Sequence, residues 1–404
     1  MLQCYTNFQN ILTLKEAFKK DGRNLQPKDI SIIKNGAIIF SEDEILWVGE
    51  SSDIPLEYKQ IPTKDFTGHV LTPSLVDSHT HLVFGGDRSR EYSMRLNGAS
   101  YEEIAKMGGG ILATMEKTIT STEKELLESA IKRVNQISSY GVKTIEVKSG
   151  YGLTMESERK ISRVIHKLKN HFCGKVKILN TFLAAHAVPG SFKTSSEYID
   201  KIVVPLLHEL HEDRIIDFVD IFHEQGYFDE NDTNRLFTLC DQLQIPVKIH
   251  ADEFNDNKGA ILAVKHNAVS ADHLLSTEID GIKSLASSST VATLLPGTAF
   301  FLGKPLADAR AFLDNGCKVA LASDYNPGSC HCDNLLLIAS ISAKSLGLNI
   351  AELWSAITLN AAHALSLKNQ GALVEGLQPK FSIFKCNNID EITYNWGKNL
   401  FVDI

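Results

Sequence analysis

His79 and His81 stand one residue apart at the end of an apolar run, Val70-Leu71-Thr72-Pro73-Ser74-Leu75-Val76. In an extended chain, residues i and i+2 point to the same face. The pair can therefore aim two imidazoles at one point, as a metal ion requires. Taken alone, His-x-His is matched equally well by two surface histidines. Recurrence tips the balance. Other short apolar runs lead into Lys148-Ser149-Gly150-Tyr151, His186, His223-Glu224, His250-Ala251-Asp252-Glu253, Asp272-His273 and Ser323-Asp324-Tyr325-Asn326. Core packing gives no reason for metal-binding and acid–base residues to follow so many apolar runs.

Within this set, His79, His81, His250 and Asp324 offer three nitrogens and one carboxylate oxygen, donors suited to zinc or iron. A catalytic metal leaves a position for water and draws its pKa toward neutrality. Two-metal hydrolases built as eight-stranded parallel barrels bridge their ions with a carboxylated lysine on the fourth strand, which in this chain would be the apolar run that leads into His223-Glu224. Here that stretch reads Phe218-Val219-Asp220-Ile221-Phe222-His223-Glu224, without lysine, so a single ion is expected. Glu253 follows His250 by three residues and is placed to shuttle protons. His273 is placed to orient the water or stabilise an oxyanion. For both, support of a ligand is the plainer alternative.

The elements that must position these residues alternate between short strands and amphipathic helices from about 70 to 330. Eight strand candidates cover 70–76, 142–147, 176–182, 218–222, 246–249, 268–271, 290–295 and 319–322. Helical patterns lie between them, as at 123–139, 155–170, 195–212 and 229–243. That rhythm predicts an α/β protein, a (β/α)8 TIM-type barrel with its chemistry at the C-terminal ends of the strands. A doubly wound sheet would carry fewer strands and a Gly-rich phosphate turn. Residues 1–68 read as β-rich, with a hairpin expected from 29–33 to 37–40 around Lys34-Asn35-Gly36 and a third strand at 44–49. Helices are expected at 335–346 and 350–365, and a returning strand at 379–384. The domains are therefore expected at 69–366 for the barrel, with 1–68 and 367–404 joined in a small β-sandwich.

Composition narrows the partners. A net charge of −8 argues against nucleic acid. No apolar run approaches the roughly 20 residues of a membrane helix, and the N-terminus lacks the pattern of a secretory signal. Seven cysteines without framework spacing suit reduced thiols in a cytoplasm. An anionic substrate would need a local positive group.

Longer strings carry a family resemblance. The strand-end pattern resembles the amidohydrolase superfamily. Asp77-Ser78-His79-Thr80-His81-Leu82-Val83-Phe84-Gly85-Gly86-Asp87-Arg88, Glu146-Val147-Lys148-Ser149-Gly150-Tyr151-Gly152-Leu153 and Lys248-Ile249-His250-Ala251-Asp252-Glu253 are similar to the imidazolonepropionase family. So are Ser270-Ala271-Asp272-His273-Leu274, Leu294-Leu295-Pro296-Gly297-Thr298 and Asp324-Tyr325-Asn326-Pro327-Gly328-Ser329. The resemblance spans about 30–395. It implies hydrolytic opening of 4-imidazolone-5-propanoate to N-formimidoyl-L-glutamate in histidine degradation. It further implies that Arg88 binds the propionate carboxylate, that Tyr151, His186 and Glu253 contact the substrate, and that Asn326, Gly328 and Ser329 hold the carboxylate end or the product. His273 and Asp324 match residues that handle protons.

Two departures stand out. Cys330-His331-Cys332 replaces small polar residues and proline and is read as a loop variant, against a second metal or redox site. The tail ends at Ile404, which leaves the small β unit short of a final strand or with a frayed edge. A mononuclear deaminase of a cyclic amidine or nucleobase-like substrate is the alternative function. Arg88 and the 326–329 loop discriminate, because only a carboxylate-bearing substrate needs them. A catalytically dead barrel serving as a scaffold would show an eroded ligand set, and none is visible. Sequence leaves zinc against iron open, and also the oligomeric state, for which a homodimer is common among such barrels.

Overall fold

The computed structural model describes residues 2–99, 103 and 109–403. Its strands are β1 Gln3–Leu12, β2 Ile32–Phe40, β3 Ile45–Glu50, β4 Thr63–Asp65, β5 Val70–Pro73, β6 Leu75–Asp77, β7 Val142–Lys148, β8 Lys177–Ala185, β9 Phe218–His223, β10 Lys248–Ala251, β11 Ser270–His273, β12 Val291–Leu294, β13 Val319–Leu321, β14 Phe381–Phe384 and β15 Phe401–Val402. β6 to β13 form one parallel eight-stranded sheet in sequence order. Its two ends meet just beyond the strands. His81 N–H donates to the Tyr325 carbonyl at 2.9 Å and Asp324 N–H to the His79 carbonyl at 3.0 Å. The buried Asp77 carboxylate adds a staple by accepting from Ser323 N–H at 3.0 Å and Ser323 hydroxyl at 2.6 Å. The expected metal-binding stretch is thus also the seam that closes the barrel.

Helices cover the outside because their apolar residues recur at helical spacing. In Glu123–Ser138, the residues Leu126, Ala130, Val134 and Ile137 are buried, one stripe of the amphipathic face. Thr122 and Glu125 form a capping box at its start. The helix expected at 195–212 contains a π-helical stretch, Ile199–Val203, just ahead of Pro205. A proline removes one N–H from the helical ladder and clashes with the preceding turn, which favours such a bulge. The 350–365 stretch is likewise two short helices, Ile350–Ala356 and Leu359–His363.

The termini build the second sheet, ordered β15-β14-β5-β1-β2-β3, with β4 also on β1. Its own core includes Phe8, Ile11, Ile38, Phe66, Leu71 and Ile383, with Phe8 and Phe66 stacked at 4.8 Å. The chain ends in a strand of two residues, β15, at this sheet's edge.

Two expectations need correction. Asn35-Gly36 is not a hairpin turn. Ile32–Phe40 is one continuous strand paired antiparallel with β1, and 27–30 is a 3-10 helix. The register slips between Tyr5 and Phe8 around the left-handed Asn7 (φ 61°), and Gly36, paired with Phe8, borders that slip next to the left-handed Asn35 (φ 46°). The Asn-Gly signal therefore marks a left-handed residue beside a bulge of the partner strand, a backbone conformation that a turn also uses. The apolar run 70–76 is also not one strand. β5 pairs with β14 in the terminal sheet and β6 with β7 in the barrel, with Ser74 at the switch. One hydrophobic run serves two cores, and hydrophobicity alone does not mark the break.

Candidate active site

Strand periodicity points alternate residues into the barrel. Glu146 and Lys148 on β7, Asp220 on β9, Lys248 on β10 and Asp272 on β11 are all fully buried there. Lys148 Nζ donates to Asp220 at 2.6 Å and to Glu146 at 3.1 Å. Lys248 Nζ donates to Glu146 at 2.6 Å and to the Ser78 carbonyl at 2.8 Å. Burial works against the Lys148 charge, but the Asp220 and Glu146 carboxylates outweigh it and raise its pKa. Sequence reading passed over this ionic layer. Its signal was present as charged residues at every second position of otherwise apolar strands.

The histidines stand on this layer. Asp272 Oδ2 lies 2.7 Å from His79 Nδ1. A carboxylate there keeps the proton on Nδ1 and turns the Nε2 lone pair upward. Nε2 of His79 and Nε2 of His81 are 3.2 Å apart, and each is 3.6 Å from Asp324 Oδ1. His250 completes a group whose donor atoms all lie within 4.8 Å of one another. His250 Nε2 is buried without a hydrogen-bond partner, and Asp220 lies 3.0 Å from its Nδ1, outside hydrogen-bond geometry. Burial holds all three imidazoles well below their usual pKa, so they are neutral, the form that binds a metal. Burial pushes Asp324 up to about 7, although it accepts a hydrogen bond from Thr298 at 2.5 Å. Neutral lone pairs converging beside a buried carboxylate are what a metal site offers. The donor set therefore fits a metal ion. The left-handed φ of Asp324 (49°) and His273 (81°) adds backbone strain of the kind that gathers at functional sites.

Above these donors lies a cavity of about 870 Å³. Every residue expected at the site lines it except His79. His186 stacks on His81 at 5.3 Å, and its Nδ1 lies 3.1 Å from the Gly150 carbonyl. Tyr151 is buried, its ring 5.8 Å from that of His81. His273 lies 5.1 Å from His250, ring to ring, with its Nδ1 3.7 Å from Glu253. Burial lowers His273 to about 4 and raises Glu253 to about 8, with Asp324 and Glu224 adding to the latter. Arg88 precedes the helix Ser89–Leu96. Its Nε and Nη2 donate to Glu91 Oε2 at 2.9 and 2.8 Å. Its Nη1 packs against Gly328, where a Cβ would come within 2.1 Å. Asn326, expected with Gly328 and Ser329 to hold the carboxylate end or the product, lines the cavity and bonds its amide inside its own loop. Oδ1 accepts from Gly328 and Ser329 N–H, each at 2.8 Å, and Nδ2 donates to the Asp324 carbonyl at 2.7 Å. Asn326 thereby shapes the floor under Arg88.

A parallel barrel with this donor set at its C-terminal rim defines an amidohydrolase, and the amidohydrolase family model matches residues 70–402. The chain is 40% identical over 373 residues to the imidazolonepropionase of Paracoccus denitrificans, covering 91% of this chain and 92% of that one. It is 39% identical over 394 residues to the imidazolonepropionase of Staphylococcus saprophyticus, covering 97% and 93%. Among solved structures it resembles triazine hydrolase from Arthrobacter aurescens, with a TM-score of 0.71, 14% identity, and coverage of 96% and 88%. That last likeness is one of fold. The chain belongs to the imidazolonepropionase family of amidohydrolases.

Proposed function

We propose that this chain hydrolyses 4-imidazolone-5-propanoate to N-formimidoyl-L-glutamate, a step of histidine degradation, by opening a ring C–N bond with water. The observation that carries this reading is the placement of Arg88 in one cavity with the imidazole–carboxylate cluster. A guanidinium recognises a carboxylate through two parallel N–H bonds. With Nε and Nη2 engaged by Glu91, the Nη1 edge is the one left for a substrate. A deaminase acting on an uncharged ring would have no use for it.

His79, His81, His250 and Asp324 would hold one ion, zinc or iron. Such an ion supplies Lewis acidity toward a hydrolytic water. The chain supplies the rest. Arg88 fixes the propionate end, and Tyr151 and His186 confine the ring. Gly328 and Ser329 form the wall beside the carboxylate. At neutral pH Glu253 holds a proton that it can deliver to the departing ring nitrogen, and neutral His273 beside it can accept one. The substrate is a small carboxylate, with no nucleic acid or membrane partner and a homodimer as the working assembly. A cytoplasmic setting suits the seven cysteines, all of them free thiols, and among the described residues no helix is long and apolar enough to cross a membrane.

The test uses purified protein of known metal content. Fresh imidazolone propionate is added, its ultraviolet absorbance followed and the product weighed by mass spectrometry. Formimidoylglutamate formed in proportion to bound metal is the expected result. No turnover by the metal-loaded protein would refute the reading.

A further inference from the structure

Glu253 stands in a loop with little regular structure of its own, between β10 and the helix Gly259–Lys265. A side chain there needs its backbone fixed from outside to hold a position over the donor cluster. One clamp comes from its predecessor. Asp252 adopts φ 51° and accepts from Gly259 N–H at 2.8 Å and Thr277 hydroxyl at 2.9 Å. The other comes from the neighbouring strand, β9. Glu224, directly after β9, is buried, and its carboxylate accepts from Phe254 N–H at 2.8 Å and Asn255 N–H at 3.4 Å. It accepts further from Asn255 Nδ2 at 3.2 Å, from Asn257 Nδ2, and from Gln225 N–H at 2.8 Å. Every one of these partners is a donor. Only an acceptor-only group satisfies them all, so an amide in place of the carboxylate would set N–H against N–H. Glu253 itself makes no hydrogen bond within the described residues, and one carboxylate oxygen lies 3.7 Å from His273 Nδ1.

We propose that Glu224 is a positioning residue for the reaction, holding the 253–257 loop so that the Glu253 carboxyl faces the site. This rests on the proton-carrying role given to Glu253 above. Glu224 touches neither the donor cluster nor the cavity. Its effect passes through the Phe254 and Asn255 peptides and through its charge, which together with Asp324 disfavours ionisation of Glu253.

The experiment compares Glu224→Gln and Glu253→Gln in the full-length, metal-analysed protein, reading metal content, kcat, KM and the pH–rate profile. Glu224→Gln should keep its metal and hold KM within about threefold. It should lose roughly 10- to 100-fold in kcat, the scale expected for a catalytic group displaced by about 1 Å. Its inflection from Glu253 should move to lower pH, because one neighbouring negative charge is gone. A role in stability alone would lower the melting temperature without moving that inflection, and this outcome overturns the proposal. If Glu253→Gln stays fully active, the role of Glu253 itself fails. If Glu253→Gln is impaired while Glu224→Gln keeps both kcat and inflection, only the Glu224 proposal fails. Should Glu224→Gln not fold, Asn257→Ala removes one loop donor from a half-buried position. It should lower kcat several-fold, and unchanged kcat overturns the proposal.

Discussion

Gly328→Ala tests how Arg88 is aimed. The backbone permits the change, since Gly328 is not among the positive-φ residues. Space does not permit it. The new methyl would lie 2.1 Å from Arg88 Nη1 and 3.0 Å from Cζ. Ordinary contact begins near 3.4 Å, so the guanidinium must retreat by about 1.3 Å. A shift of that size breaks two-point contact with a carboxylate and strains the 2.8 and 2.9 Å bonds to Glu91. Losing one charge-assisted hydrogen bond costs about 1.5–3 kcal/mol, which is roughly 10- to 150-fold in affinity. The displaced atoms are the tip of a flexible side chain, so the fold should absorb the change. We expect KM to rise by that factor while metal content, melting temperature and, within a few-fold, kcat stay as in the parent. Steady-state kinetics on metal-analysed protein is the assay. An unchanged KM would falsify the placement of the carboxylate against Nη1.

Asp272→Asn removes the carboxylate behind His79 Nδ1 and should weaken metal binding by about 10- to 100-fold, measured by competition with a chelator; equal affinity would show that His79 needs no such partner. The metal-free protein should respond to pH through Glu253. Its folded pKa of about 8 exceeds that of an ordinary glutamate, so the folded state binds the extra proton between about pH 4 and 8. Stability from this group is therefore fully present at the acid end and lost as pH rises through 8. Thermal melts of Glu253→Gln should show a shallower decline over that window than the parent, and parallel curves would contradict the burial of an uncharged Glu253.

Much of the site could be read in the sequence because barrel topology turns strand ends into neighbours. The His79–His81 pair, His250 and Asp324 are far apart in the chain, yet a parallel barrel carries all of them to one rim, so counting strands was enough to group them. The repeats of apolar strand and amphipathic helix are local, and so they survive as pattern. What sequence left hidden depends on pairing. Asn35-Gly36 has the same local preference within a strand beside a bulge as in a turn, and only β1 alongside selects the strand. The run 70–76 is apolar throughout, and its division between two sheets follows from which partner strands lie beside each half. The ionic layer of Lys148, Asp220, Lys248 and Asp272, the Glu91 bond to Arg88 and the Glu224 clamp on the Glu253 loop are matters of distance and desolvation. Residue types and spacing determined which groups could do the chemistry. Tertiary structure decided which of them are held, aimed and stripped of water, because a buried charge takes its meaning from the partners that packing places within about 3 Å.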